Sequence, residues 1–394
     1  MAATSLAPRP CVDMRIHLRK VLLPFLATRL ALLVVGWLSV HLLASGLTLQ
    51  KGNLVFHQPG TPALEIWARW DAEWYLLIGE RGYGADDAFV GRPVAYAPGD
   101  DTGFFPLYPI LIRAGMVGGL SPLAAGVLVS NLALLVGLSL LRDLAQRDFG
   151  EAAADRAVWI FLAFPTAFFF SAVYAESIML ATLLGAVRMA RDHRPVAAGI
   201  LGALCALSRP TGILVILPLA FELWGARPGE RSLARRAAPV LTGVGLSSAG
   251  LAAYMLFCHR RFGVWAPFLA RQERWRGATS GPWRAFLRYL EAPQVHGAHH
   301  STIDLVVALA LVVSIPWMFL RLRRSDAIYA TAAILLPLGS TLWSFTRFAA
   351  AIYPFPLLLG ATATSERRQT AWTAFLFPIQ GLLMALYASW WWVG

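Results

Sequence analysis

VLLPFLATRLALLVVGWLSVHLLASGL, residues 21–47, carries one charged side chain, Arg29. A helix needs about 20 apolar residues to cross a bilayer, so this stretch predicts a membrane span. Ten more apolar stretches follow, near 122–141, 157–172, 177–190, 196–207, 213–224, 237–258, 303–320, 327–343, 348–362 and 371–391. Those at 177–190, 196–207 and 213–224 are too short to cross alone. They predict tilted, broken or re-entrant segments, tolerated where protein shields the backbone. Composition agrees with this reading: 57% of the 394 residues are hydrophobic and only 14% charged, against about 25% charged in soluble domains. The expected fold is an all-α polytopic membrane protein with eleven spans in one domain, 1–394.

The basic residues orient it. The net charge of +12 comes from clusters between apolar spans, not from a basic stripe on a soluble domain, which argues against nucleic acid as a partner. With the N-terminus inside, 19 Lys and Arg fall in short inside segments and 14 outside, the latter mostly in two long segments, 48–121 and 259–302. Long loops cross the membrane with little regard to charge. On this map Trp390-Trp391-Trp392 anchors the last helix at the outer interface. Cys11, Cys205 and Cys258 are scattered and imply neither a disulfide framework nor a metal site. The apolar run after a basic N-terminus reads as a first helix, not a cleaved signal.

The first long segment holds eight of the 22 acidic residues, so it is the place to look for chemistry. Leu64, Trp67, Trp70/Asp71, Trp74 and Leu77/Ile78 recur at helical spacing, which predicts one amphipathic interfacial helix over Ala63–Arg81 with Asp71 on or beside its aromatic face. An acid there is a candidate base, or it pairs with Arg69 or Arg113. Glu73, two positions on, should point away. Phe104-Phe105-Pro106-Leu107-Tyr108-Pro109 opens a second interfacial segment. Asp86-Asp87 and Asp100-Asp101 read as a solvated loop. His296, His299 and His300 have helical spacing but no adjacent carboxylate or Cys, so a metal site is not expected. Gly243, Gly245 and Gly250 lie inside an apolar helix and read as close helix packing, not nucleotide binding. Candidate anion-binding cations on the outer face are Arg113, Arg209, Arg347 and the cluster Arg260–Arg288, where Gln272 and Trp275 add glycan-binding groups.

RWDAEWYLLIGERGY (69–83), GFFPLYPILIR (103–113), FPTAFFFSAVYAES (164–177), LSRPTG (207–212) and, more loosely, FTRFAAAIYPFP (345–356) together resemble the PIG-V family of mannosyltransferases, over about residues 20–390. In eukaryotes that family adds the second mannose of the GPI anchor; it belongs to the GT-C glycosyltransferases. The resemblance implies a GT-C helix bundle with two juxtamembrane helices in the first outer loop and polyprenyl-phosphate sugar as donor. It implies Asp71 as catalytic acid residue, with Trp70, Tyr75, Arg113, Tyr174, Glu176, Arg209, Gln272 and Arg347 around donor and acceptor. The expected reaction is inverting transfer of a sugar, mannose by the family, to a lipid- or glycan-linked extracytoplasmic acceptor. No cofactor is required; a divalent metal is left open. A lipid or glycolipid transporter, or a non-catalytic assembly subunit, remains the alternative. Arg outnumbers Lys 32 to 2, which points to a GC-rich prokaryotic cell membrane and away from a GPI acceptor.

Overall fold

A computed structural model describes residues 14–43, 61–85, 99–225, 232–296 and 300–394. Their regular structure is helical apart from one isolated bridge, Gln294 to Ser301. In chain order the helices are α1 (Met14–Leu42), α2 (Pro62–Glu65), α3 (Ala72–Arg81), α4 (Leu107–Val117), α5 (Pro122–Phe149), α6 (Glu151–Ala163), α7 (Glu176–Arg191), α8 (Pro195–Ala206), α9 (Ile216–Gly225) and α10 (Leu233–Phe262). Then come α11 (Pro267–Arg276), α12 (Arg284–Glu291), α13 (Thr302–Arg321), α14 (Arg324–Leu338), α15 (Phe345–Ala350), α16 (Pro354–Thr362) and α17 (Glu366–Ala388). Five of them, α1, α5, α10, α13 and α17, are long and apolar enough to cross a membrane. The protein is an all-α, multi-pass integral membrane protein.

Several apolar stretches are broken where an unbroken span was expected. The stretch 157–172 leaves the helix after Ala163 and turns through a 3-10 segment, Ala167–Phe170. The stretch 348–362 is interrupted between α15 and α16, and 371–391 ends as helix at Ala388. Exposed in lipid, such breaks would each strand polar backbone at several kcal/mol. Here other helices supply the missing partners. Gln380 Nε2 donates to the carbonyls of Leu162 and Phe164, both at 2.8 Å, and Arg29 Nη1 donates to Ala167 O at 3.2 Å. Phe161, Phe168, Phe169 and Phe170 are buried around the break.

Helix α8 packs along α10. Lipid offers no hydrophobic drive for this, so close approach of small residues must hold it. At Gly250 an added Cβ would lie 2.5 Å from Ala203 O, in keeping with the packing role read for that glycine.

The first outer segment is not one amphipathic helix. Trp70 sits at φ 58 and stops the chain between α2 and α3. Helix α3 has no free face: Ala72 to Gly79 are all buried, Glu73 included. Glu73 packs beside Arg69, because α4 covers one side of the helix and other elements the rest. Asp100 and Asp101 are also buried. Asp100 pairs with Arg274 at 3.1 Å and Arg271 at 3.4 Å, and Asp101 Oδ2 accepts from Gly84 N at 2.5 Å. They dock their turn on α11 instead of forming a solvated loop. Asp86 and Asp87 lie outside the described residues. His296 stands in a bend, not a helix, with Nδ1 3.2 Å from Ser301 Oγ; His299 lies outside the described residues.

Candidate active site

Four breaks in the helical pattern meet at one end of the bundle. Asp71 is the residue at which α3 starts, φ −56 and ψ −19. Glu176 opens α7, directly after the Ala163–Ala175 break. Arg209 is extended before the 3-10 turn Pro210–Val215. That turn folds back on α8 so closely that a Cβ on Gly212 would lie 2.0 Å from Cys205 O. Arg347 lies on α15, entered through Ser344 at φ 63.

These four side chains form one chain of charges. Arg347 Nη1 donates to Asp71 Oδ2 at 2.9 Å, and Arg347 Nε lies 3.4 Å from Glu176 Oε1. Arg209 Nη1 donates to the same Glu176 oxygen. Glu176 is buried, and its Oε2 is closed to water without a hydrogen-bond partner. Removing a charge from water is expensive unless it is paired, so such pairs interlock tightly. Asp71 keeps 30% of its side chain exposed, which leaves it reachable. Its partner is Arg347, not Arg69 or Arg113. Arg69 donates from Nε to Ala388 O at 2.9 Å. Arg113 donates to Gly79 O and Glu80 O at 2.8 and 2.9 Å.

A third guanidinium joins from α11. Arg209, Arg276 and Arg347 all lie over the Phe348 ring, at 5.4, 4.9 and 5.4 Å from its centroid. Arg276 donates to Trp343 O at 2.8 Å and Thr341 O at 3.3 Å. Burial, with the neighbouring Arg347 and Arg209 adding to it and Asp304 opposing, pushes Arg276 down to about 10, so it stays charged near neutral pH. Three cations converging on one apolar ring form an anion-binding arrangement. Arg276 was one of seven arginines between 260 and 288 and nothing in its local sequence sets it apart.

Tyr75 is buried with its ring edge-on to Phe104 at 5.2 Å and Tyr108 at 5.1 Å, and burial raises its phenol above the usual range. Tyr174 donates to Arg69 O at 2.8 Å and lies under Arg347 at 5.3 Å. Trp70, Tyr75, Tyr174, Glu176, Arg209 and Arg347 thus gather around Asp71. Gln272 lies on α11, but the α11 residue stacked near Phe348 is Arg276. Arg113 lies apart, in the wall of an apolar cavity of about 520 Å³ with Ile78, Pro109, Leu207, Phe257 and Arg261.

Helix α17 ends at Ala388 and the chain continues through Trp390–Trp392. Trp390, at φ 67, turns it back. Trp390 lies under Arg69 at 4.7 Å, and Trp392 under Arg347 at 5.8 Å; only Trp391 of the three is exposed.

No family model matches the chain. It is 27% identical over 164 residues to GPI mannosyltransferase 2 of Yarrowia lipolytica, covering 41% of this chain and 43% of that protein. Its fold is similar to ArnT of Cupriavidus metallidurans bound to undecaprenyl phosphate, with TM-score 0.50, 17% identity, and coverage of 90% of this chain and 62% of ArnT. The apo form of ArnT matches at TM-score 0.50 and 19% identity over the same shares. The chain therefore spans under two thirds of the length of either relative. The likeness to ArnT gives the fold, an all-helical membrane bundle of the ArnT type.

Proposed function

We propose that this protein is a membrane glycosyltransferase that moves a hexose from a polyprenyl phosphate to a hydroxyl of a lipid- or glycan-linked acceptor, with Asp71 as base. The similarity to GPI mannosyltransferase 2 supports mannose as the sugar. The observation that carries the reading is the charge chain Asp71–Arg347–Glu176–Arg209. A polyprenyl phosphate needs an apolar groove for its tail and cations for its phosphate. Leu207 lines the cavity and Arg209 lies two residues on, at most about 7 Å along the chain. Undecaprenyl phosphate, the ligand in the ArnT structure, is of the same chemical class.

In this reaction the acceptor oxygen attacks the anomeric carbon from the face opposite the phosphate. The bond from that carbon to the phosphate oxygen breaks, and the configuration inverts. The acceptor proton passes to Asp71, whose Oδ1 is available while Oδ2 holds the Arg347 bond. Arg209, Arg276 and Arg347 take up the charge on the departing phosphate. Glu176 orients both Arg209 and Arg347, and its spare oxygen suits a sugar hydroxyl.

The site end is proposed to face away from the cytoplasm of a prokaryotic cell. Reporter fusions after Arg324 and after Trp392 then report opposite sides; finding both on one side overturns this orientation. The activity is tested with purified protein in sealed proteoliposomes, labelled polyprenyl-phosphate mannose and a panel of lipid acceptors, with and without chelator. Label is expected in an acceptor, joined with inverted configuration; loss of transfer with chelator assigns a divalent metal to the reaction. An intact donor that instead crosses the bilayer supports a transporter.

A further inference from the structure

Among the described residues four non-glycine residues have positive φ: Trp70, His193, Ser344 and Trp390. Such backbone is strained for a side chain with a Cβ, and strain of this kind gathers at functional sites. His193 lies beyond α7 at the far end of the bundle. The other three belong to three separate segments that each bring an indole to one cluster around Trp392 and Trp70, the residue before Asp71. Trp70 is edge-on to Trp392 with centroids 5.5 Å apart and an interplanar angle of 90°. Trp343, next to Ser344, meets Trp392 at 6.3 Å and 76°. Trp390 packs on Trp70 at 6.0 Å.

The indole N–H groups of Trp70 and Trp392 are shut off from water and have no acceptor. Buried donors are nearly always paired, and a wall built only for packing has no use for strained turns that leave two of them unpaired. Both rings are half-buried, next to a carboxylate that remains partly exposed. Indole combines an apolar face with one donor, which matches a pyranose ring with its apolar C–H face and its hydroxyls.

We propose that Trp70, Trp343 and Trp392 form a stacking wall for a pyranose ring at the Asp71 site, and that Trp392, supplied by the segment that turns back after α17, touches substrate. The assignment rests on the glycosyltransferase reading for its reaction but not for its binding chemistry. Two sources of the ring exist, the sugar of the donor and a sugar-bearing acceptor.

The test uses the full chain in nanodiscs, as Trp392→Ala, Trp392→Phe and the neighbouring Trp391→Ala. Binding is read by tryptophan fluorescence on titration with octyl α-mannopyranoside, with an octyl glycerol ether as the ring-free probe. Turnover is read as separate KM values for polyprenyl-phosphate mannose and for acceptor. The parent and Trp391→Ala should give a saturable signal with the mannoside and none with the glycerol ether. Trp392→Ala should weaken mannoside binding about tenfold, the scale of one lost aromatic contact, and Trp392→Phe about threefold. A matching rise in acceptor KM assigns the ring to the acceptor, and one in donor KM assigns it to the donor. Equal binding of both probes by the parent, or unchanged mannoside binding in a folded Trp392→Ala, overturns the wall. If the parent binds the mannoside through Trp392 yet transfers no sugar, the glycosyltransferase reading falls and the wall stands.

Discussion

Both ends of this bundle are knotted with arginine–carboxylate pairs, but the two knots differ. At the end away from Asp71, Arg191 donates to both oxygens of Asp326 at 2.7 and 2.6 Å and to Asp148 at 2.8 Å. Asp326 also accepts from Tyr353 OH at 2.6 Å, Asp148 from Arg323 at 2.7 Å, and Glu222 from Ser325 at 2.5 Å. Nearly every oxygen there has its donor, and the pairs tie α5, α7, α9 and α14 together. At the Asp71 end three guanidinium groups share one ring, Glu176 keeps a bare oxygen, two indole donors go unpaired and three residues carry strained φ. Residue types alone do not separate a structural knot from a reactive one. The kind of group left bare does: at the Arg191 end the unpaired buried atoms are guanidinium nitrogens, Arg188 Nη1 and Arg191 Nε, whereas at the Asp71 end they include a carboxylate oxygen, Glu176 Oε2, and the indole donors of Trp70 and Trp392.

The sharpest way to break this contrast is to remove the central cation from each end. Arg347→Met leaves Asp71 and Glu176 without their shared partner, and should lower turnover about 10²–10³-fold and also reduce thermal stability. Arg191→Met breaks a buried pair and should cost about 3–5 kcal/mol of stability, read by thermal unfolding in nanodiscs. Turnover per folded molecule should then stay close to the parent's. If Arg191→Met abolishes turnover in protein that is still folded, the division between the ends is wrong. Arg347→Lys keeps the charge but loses the planar fork, and should weaken binding of a polyprenyl-phosphate analogue about tenfold, measured by titration. Arg323 has half its side chain exposed, and Arg323→Ala should change stability by less than about 1 kcal/mol and turnover not at all.

The helical membrane character could be read from apolar run length, which acts locally along the chain: among the described residues five of the eleven expected stretches form helices long and apolar enough to cross a membrane. Asp71, Glu176, Arg209 and Arg347 were reachable because each sits in a short motif at a break in the apolar pattern. Arg276, Trp343 and Trp392 were not, because their meeting is set by packing between segments far apart in sequence. The breaks at Ala163 and Ala351 were hidden too: their sequence is as apolar as a span, and the groups that relieve the first, Gln380 and Arg29, lie on other helices. The burial of Glu73 was not legible either, because α3 is packed nearly all round by segments distant in sequence.

The account stands or falls on the base. The direct measurement is single-turnover sugar transfer by Asp71→Asn against the parent, in nanodiscs, with donor binding measured on the same samples. Removing a positioned base typically costs about 10²–10⁴ in rate, so turnover should fall by that factor while donor binding and folding persist. Near-parental turnover in Asp71→Asn, with collapse in Glu176→Gln, would contradict the account and move the base to Glu176.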